Sequence, residues 1–402
     1  GAAQPVLHVR DGMDGAERVV LDVSTRAAGT ALDYFFPSPD GRLLAYGVSQ
    51  KGSERASLYV MDVATGRDIA GPFADAMWNG NGIAKWERDG KAFSFITLRD
   101  PASYREKADA FKWNRTWRWS VAQPATPTLV FDGARKLGPT MTEAESSQIF
   151  RYPGAAWEVA QIEDGVRTVV RALKRKLGDT GAFQPLLEFE HGVSRFQVRG
   201  DTLYAVSSLG APRFQVVATS LSAPNWQQPR VMFPASTMVV DNLQAAKDAL
   251  YVSVRDGAQF RLFRVNYDTL AREEIALPFP GSLRLHVSDA ELAGVMVSLA
   301  GWTQVTQHYV VDAGDRTARL TSLQPQSAGD SWPGIASRVE FAKSHDGVMV
   351  PVSIGPTTGV PVLEPSPRSI WIHRSRTMIS WLPGIVSTGL GWRGRKSRST
   401  TR

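Results

Sequence analysis

Pro39-Asp40-Gly41-Arg42-Leu43-Leu44-Ala45-Tyr46-Gly47-Val48-Ser49, then a polar turn at Gln50 to Glu54 and a second apolar run at Ser57 to Val63, form one period of a theme that fills the chain from Ala31 to about Leu323. β-Branched and aromatic residues dominate each run, and Asp, Gly or Asn occupy the turns, which is the pattern of antiparallel strands. Runs of the same kind recur at Ala92 to Thr97, Thr202 to Ser207, Ala249 to Val254 and Leu292 to Ser298. No long helical period interrupts them, so the chain reads as all-β.

The repeat carries a second mark, a turn placed just before a strand: Pro39-Asp40-Gly41, Arg88-Asp89-Gly90, Arg199-Gly200-Asp201, and the weaker Ala246-Lys247-Asp248 and Ser288-Asp289-Ala290. Asp bonds nearby backbone and Gly accepts positive φ, so both suit such turns. The spacings are about 49, 111, 48 and 41 residues, and the 111 reads as two units with a degenerate middle mark near Gly154 to Gly165. A period of about 40 to 55 with four strands per unit is that of β-propeller blades. Six units follow, at about 31–72, 78–133, 141–190, 195–234, 239–279 and 284–323. Asp62-Val63-Ala64-Thr65-Gly66, Asn266-Tyr267-Asp268-Thr269 and Asp312-Ala313-Gly314-Asp315 read as turns between the third and fourth strands. Residues 1–30, through Pro5 to Asp22, have the form of the two outer strands of a further blade.

Ala31 to Ser49, with Gly52-Ser53-Glu54 and Val60 to Gly66, closely resembles the early blades of the prolyl oligopeptidase family of serine peptidases. The likeness continues through Trp86-Glu87-Arg88-Asp89-Gly90 and into Val339 to Val352, which resembles the passage from propeller to hydrolase domain. The resemblance implies a seven-bladed-type propeller, here six blades and a half, that caps an α/β-hydrolase domain and restricts access to short peptides. It assigns 31–323 to the propeller and 324–354 to a linker and the first hydrolase hairpin, in which Val339, Phe341, Val348, Val350 and Val352 are expected to share one apolar face. It also implies that the chemistry belongs to a serine on a Gly-x-Ser-x-Gly elbow with a later Asp and His. This chain has no such elbow; at Gly329-Asp330-Ser331-Trp332-Pro333-Gly334 the second glycine falls one place late. The expectation is therefore a chain cut short before its catalytic residues and inactive alone, with short peptides and its own hydrolase domain as partners of the parent. A stand-alone propeller that binds peptide or protein is the alternative reading. Cleavage after proline and cleavage after basic residues both stay open.

No catalytic, cofactor or metal residue is assigned. The chain has no cysteine, which excludes disulfides and thiolate chemistry, and its six histidines (His8, His191, His286, His308, His345, His373) are scattered and read as surface or loop positions. The acid pairs Glu143/Glu145 and Glu188/Glu190 are candidates for acid and base work; their i, i+2 spacing reads more simply as the solvated face of a strand. Trp78, Trp86, Trp113, Trp117 and Trp119, and the run Lys112 to Ser120 with Arg115 and Arg118, read as blade packing with arginines reaching to the surface, against a peptide- or nucleic-acid-binding alternative.

The formal charge of +7 is confined to one end. Residues 355–402 hold eight basic residues and one acid, Glu364, and removing these from the totals of 46 and 39 leaves 38 of each sign. Nothing in the body calls for nucleic acid, and no run reaches the roughly 18 apolar residues of a membrane helix. The compartment, cytoplasmic or periplasmic, stays open. After Ile354 the family likeness stops, and 355–402 is expected to be an unstructured basic tail produced by a change of reading frame, which the coding DNA would test.

Overall fold

The computed structural model describes residues 5–12, 15–53, 55–76, 85–99, 102, 107–286, 290–302, 304–323 and 338–354. Trp78, Ser331, the 324–337 linker and the basic tail lie outside the described residues, as does the whole of the smaller unit, Ile372–Arg402.

A hairpin of β1 (Val6–Val9) and β2 (Arg18–Asp22) comes first. Six four-stranded antiparallel blades follow. The first is β3 (Thr30–Pro37), β4 (Leu43–Gln50), β5 (Ala56–Asp62) and β6 (Arg67–Ala76). The second is β7 (Lys85–Trp86), β8 (Ala92–Thr97), β9 (Arg115–Ser120) and β10 (Thr128–Asp132), joined to the first by a single bridge, Ala76 to Thr97. The third is β11 (Glu145–Arg151), β12 (Trp157–Asp164), β13 (Arg171–Lys176) and β14 (Gln184–Leu187). The fourth is β15 (Val193–Arg199), β16 (Thr202–Ser207), β17 (Gln215–Ser220) and β18 (Arg230–Phe233). The fifth is β19 (Val239–Ala245), β20 (Leu250–Asp256), β21 (Gln259–Val265) and β22 (Arg272–Ile275). The sixth is β23 (Ser282–Leu285), β24 (Val295–Ala300), β25 (Gln307–Val311) and β26 (Arg319–Leu320), and a last hairpin pairs β27 (Arg338–Lys343) with β28 (Met349–Ile354). Strand order within each blade is sequential, an all-β propeller meander.

Local chemistry fixes the turns. Asp62 Oδ1 accepts from the Thr65 amide at 2.8 Å and its hydroxyl at 2.9 Å, and Gly66 closes the turn at φ +67°. Asn266 Oδ1 does the same work in the fifth blade, accepting from the amides of Asp268 and Thr269 at 2.9 Å each. Both turns join third to fourth strands, as their sequence suggests. Gly47 has a different purpose: a Cβ there would lie 2.0 Å from Tyr34 Cζ, so its hydrogen lets the ring lie flat on β4.

The core is divided among the blade interfaces. Tyr34, Leu58, Val60, Phe93, Phe95 and Trp119 fill the space between the first two blades. Phe131, Ile149 and Ile162 join the second to the third, Leu187, Val198 and Val217 the third to the fourth, Val206, Phe233 and Val252 the fourth to the fifth, and Tyr251, Leu262, Val297 and Tyr309 the fifth to the sixth. The β1–β2 hairpin lays Leu7, Val9, Val20 and Leu21 on Leu44, Tyr46 and Val48 of the first blade. Between that hairpin and the sixth blade no apolar cluster forms among the described residues. Arg10 Nη1 instead donates to the Ser322 carbonyl at 3.1 Å.

One sequence expectation fails in the last hairpin. Phe341 pairs with Pro351, and Val350 and Val352 pair with Ala342 and Glu340. Directly paired residues share a face and neighbours along a strand do not, so Val350 and Val352 lie opposite Phe341. Phe341, Val348 and Met349 are exposed. The single apolar face expected from the sequence is therefore divided between two faces, because the turn Ser344–Val348 sets a register that composition does not reveal.

Candidate functional site

The meander gives the ring two different faces. On one lie the turns between first and second strands, and on the other those between second and third. Among the described residues, the second kind of turn presents Phe111 in the second blade, Val166 in the third, Leu209 in the fourth, and Trp302 with Val305 in the sixth. Val166 is 88% exposed and Trp302 74%. The β27–β28 hairpin reaches the same face, since a Cβ on Gly257, in the fifth blade's β20–β21 turn, would lie 3.6 Å from Pro351. The face opposite exposes Val121, Leu177 and Leu292, none of them aromatic. It is held by polar bonds: Asp40 Oδ1 accepts from Ser38 Oγ at 2.6 Å, Asp248 Oδ1 accepts from the Gly294 amide at 2.8 Å, and Arg88 pairs with Glu291 between the second and sixth blades.

A chain of charges runs between the second and third blades. Glu87 accepts two bonds from Arg118, Nε at 2.7 Å and Nη2 at 2.9 Å, and meets Arg151 Nη1 at 2.9 Å. Arg151 Nε continues to Glu158 Oε2 at 3.0 Å, and Arg175 Nε donates to Glu158 Oε1 at 2.7 Å. The bonds to Glu87 hold Arg118 more firmly protonated than usual, although burial opposes them. These residues and Ser94 line a small cavity, and the Ser94 hydroxyl donates to the Ile149 carbonyl at 2.8 Å. With each of these carboxylates engaged by two guanidinium groups and the hydroxyl bonded to backbone, the cluster has the chemistry of a clamp between blades rather than of a base and its nucleophile.

The structure sorts the sequence candidates. Glu145 is buried and accepts from Arg171 Nε at 3.1 Å and Nη2 at 3.0 Å, so the solvated-surface reading fails for it; its carboxylate starts β11 facing the guanidinium on β13. Glu143 is exposed, outside any strand, and lies 3.4 Å from Lys112 Nζ. Glu188 and Glu190 belong to a short 3₁₀ turn and its cap, not to a strand. Trp119 is fully buried, and Trp86 and Trp117 pack beside it in the first interface. Arg115 Nη2 donates to the Leu98 carbonyl at 3.0 Å, and Arg118 belongs to the clamp, so these arginines are paired rather than reaching outward. Neither His286 nor His308 is a simple surface residue: both are half-buried and converge on Ser298. Their separation of 22 positions conceals this in the sequence; only the strand register brings them together.

Comparison with known proteins gives a consistent result. The family described as the prolyl oligopeptidase N-terminal β-propeller domain matches residues 1–322. Two uncharacterized peptidases of Sinorhizobium fredii, y4qF and y4sO, are 25% and 24% identical over 88% and 85% of this chain. The chain spans about half the length of these relatives, 47% and 48%. Among solved structures, one from a study of two prolyl endopeptidases superposes with a TM-score of 0.73 at 18% identity, covering 88% of this chain and 51% of the other. Prolyl oligopeptidase B of Galerina marginata gives 0.72 at 14% identity, covering 89% and 53%.

Proposed function

Because the chain belongs to the prolyl oligopeptidase family, whose N-terminal β-propeller matches residues 1–322, we propose that it is the substrate-gating part of a serine peptidase acting on short peptides and does not hydrolyse peptides by itself. The observation that carries this reading is the face formed by Phe111, Val166, Leu209 and Trp302 together with the β27–β28 hairpin. Apolar side chains that project from separate blades toward one side, rimmed by polar turns, mark a surface that another domain covers. In this family the domain is the α/β-hydrolase, which supplies the serine, aspartate and histidine. The propeller then contributes the exclusion of large substrates, while the hydrolase contributes the bond cleavage.

The test uses the purified chain, a serine-reactive phosphonate probe, and short peptides containing proline or a basic residue. No labelling and no cleavage are expected. Labelling of a serine in this chain would overturn the division of labour. Saturable binding of a folded protein partner at the opposite, polar face, with none at the apolar face, would instead favour an independent binding module.

A further inference from the structure

Ser298 on β24 sits between two imidazoles. Its Oγ lies 2.5 Å from His286 Nε2 and 2.8 Å from His308 Nδ1, and the two rings are tilted with centroids 5.7 Å apart. A hydroxyl has one proton, so one ring accepts from it and the other donates to it. The arrangement is complete with both rings neutral. It fails when both are protonated, because two N–H groups then point at one oxygen, the hydroxyl proton loses its acceptor, and two cations share a confined space. The hydroxyl also fills the point at which the two nitrogens converge, where a metal ion would have to sit.

The position of the cluster gives this chemistry a consequence. Ser298 is paired directly with Arg284 on one side and His308 on the other, and these residues alternate with Leu283, Leu285, Val297 and Tyr309, which face the fifth blade. The cluster therefore lies on the other side of the sixth blade, away from the fifth. The His308 carbonyl accepts from both the amide and the hydroxyl of Thr321, each at 2.9 Å, and the next residue, Ser322, receives Arg10 of the hairpin. One residue thus separates the histidine-bearing strand from the polar link across the seam.

We propose that His286, Ser298 and His308 form a proton-sensitive latch that keeps the β1–β2 hairpin against the sixth blade at neutral pH and releases it on acidification. The charges around the seam are already weighted toward cations. Arg284 acts on His286 from β23, Arg319 is paired with Asp312 at 2.9 Å, and on the hairpin Arg10 and His8 share Glu17. Burial, then each other's proximity and Arg284, hold His286 below the ordinary imidazole range, and burial does the same for His308. The sign follows: a histidine depressed in the closed form contributes its full stabilisation above the ordinary value of about 6.5, and that contribution is lost as the pH falls below it, because the open form takes up protons first.

Amide hydrogen exchange of the full chain, corrected for intrinsic rates, tests the latch. Protection of residues 6–22 and 319–322 is expected to fall roughly tenfold more between about pH 7.5 and about pH 5 than protection of the third and fourth blades. The double variant His286→Gln/His308→Gln is expected to remove the difference, and His8→Gln to leave it in place. Should the double variant not fold, Ser298→Ala retains both rings without their shared partner and is expected to move the midpoint of the change upward. Equal loss of protection in all blades, persistence of the effect in the double variant, or an unmoved midpoint in Ser298→Ala would each overturn the proposal.

Discussion

Glu158 is 1% exposed and holds two guanidinium groups, and that combination determines what its loss would do. Truncation in Glu158→Ala leaves Arg151 and Arg175 without their shared carboxylate. Breaking a buried pair usually costs about 3 to 5 kcal/mol, and the lower end applies here because both arginines keep some solvent contact. Arg261 provides the contrast, since its bonds to Glu274 and Asp256 lie at the surface. Arg261→Ala is expected to cost at most about 1 kcal/mol. Urea titration of both variants checks the pair, and equal losses would show that the clamp between the second and third blades contributes no more than a surface contact. Little of this is legible in the sequence. Arg151, Glu158 and Arg175 stand on three different strands, and each looks like an ordinary polar position until β11, β12 and β13 align them. Asp62 and Gly66 were readable because their bonds stay within five residues, a distance over which sequence and geometry coincide.

The two hairpins are similar in sequence and opposite in setting. β1–β2 buries Leu21 against the first blade, where Val23 of the following 3₁₀ turn joins it, whereas β27–β28 and its turn leave Phe341, Val348 and Met349 exposed. Leu21→Ala is expected to cost about 2 to 4 kcal/mol, as for a large-to-small change in a packed core, and Phe341→Ala less than about 0.5 kcal/mol. Thermal unfolding of the two variants separates these cases; comparable losses would mean that the last hairpin is covered within this chain. Both hairpins were legible as hairpins, from alternation and a Gly-containing turn. Their faces were not, because face depends on parity: a bulge between Leu7 and His8 in one, and the length of the Ser344–Val348 turn in the other, each decide it by a single residue.

At the scale of the molecule, the apolar clusters join each blade to its neighbours along the chain, in order from the β1–β2 hairpin to the sixth blade. The six-unit repeat was readable in advance because the Asp- and Gly-bearing turns recur at nearly fixed spacing. The closure was not, since nothing in the local pattern states how the first element meets the last. The bond from Arg10 to Ser322 is therefore the feature with the widest reach. Among the described residues every other interface is apolar, whereas the seam between the hairpin and the sixth blade is bridged by this polar link. A unit beside the seam detaches by losing one apolar interface, while the others must lose two, so fluctuations should begin at the seam. Native-state exchange at neutral pH should accordingly be fastest in the β1–β2 hairpin and the sixth blade and slowest in the third and fourth blades, and a uniform profile would mean that the circle closes more tightly than its chemistry indicates.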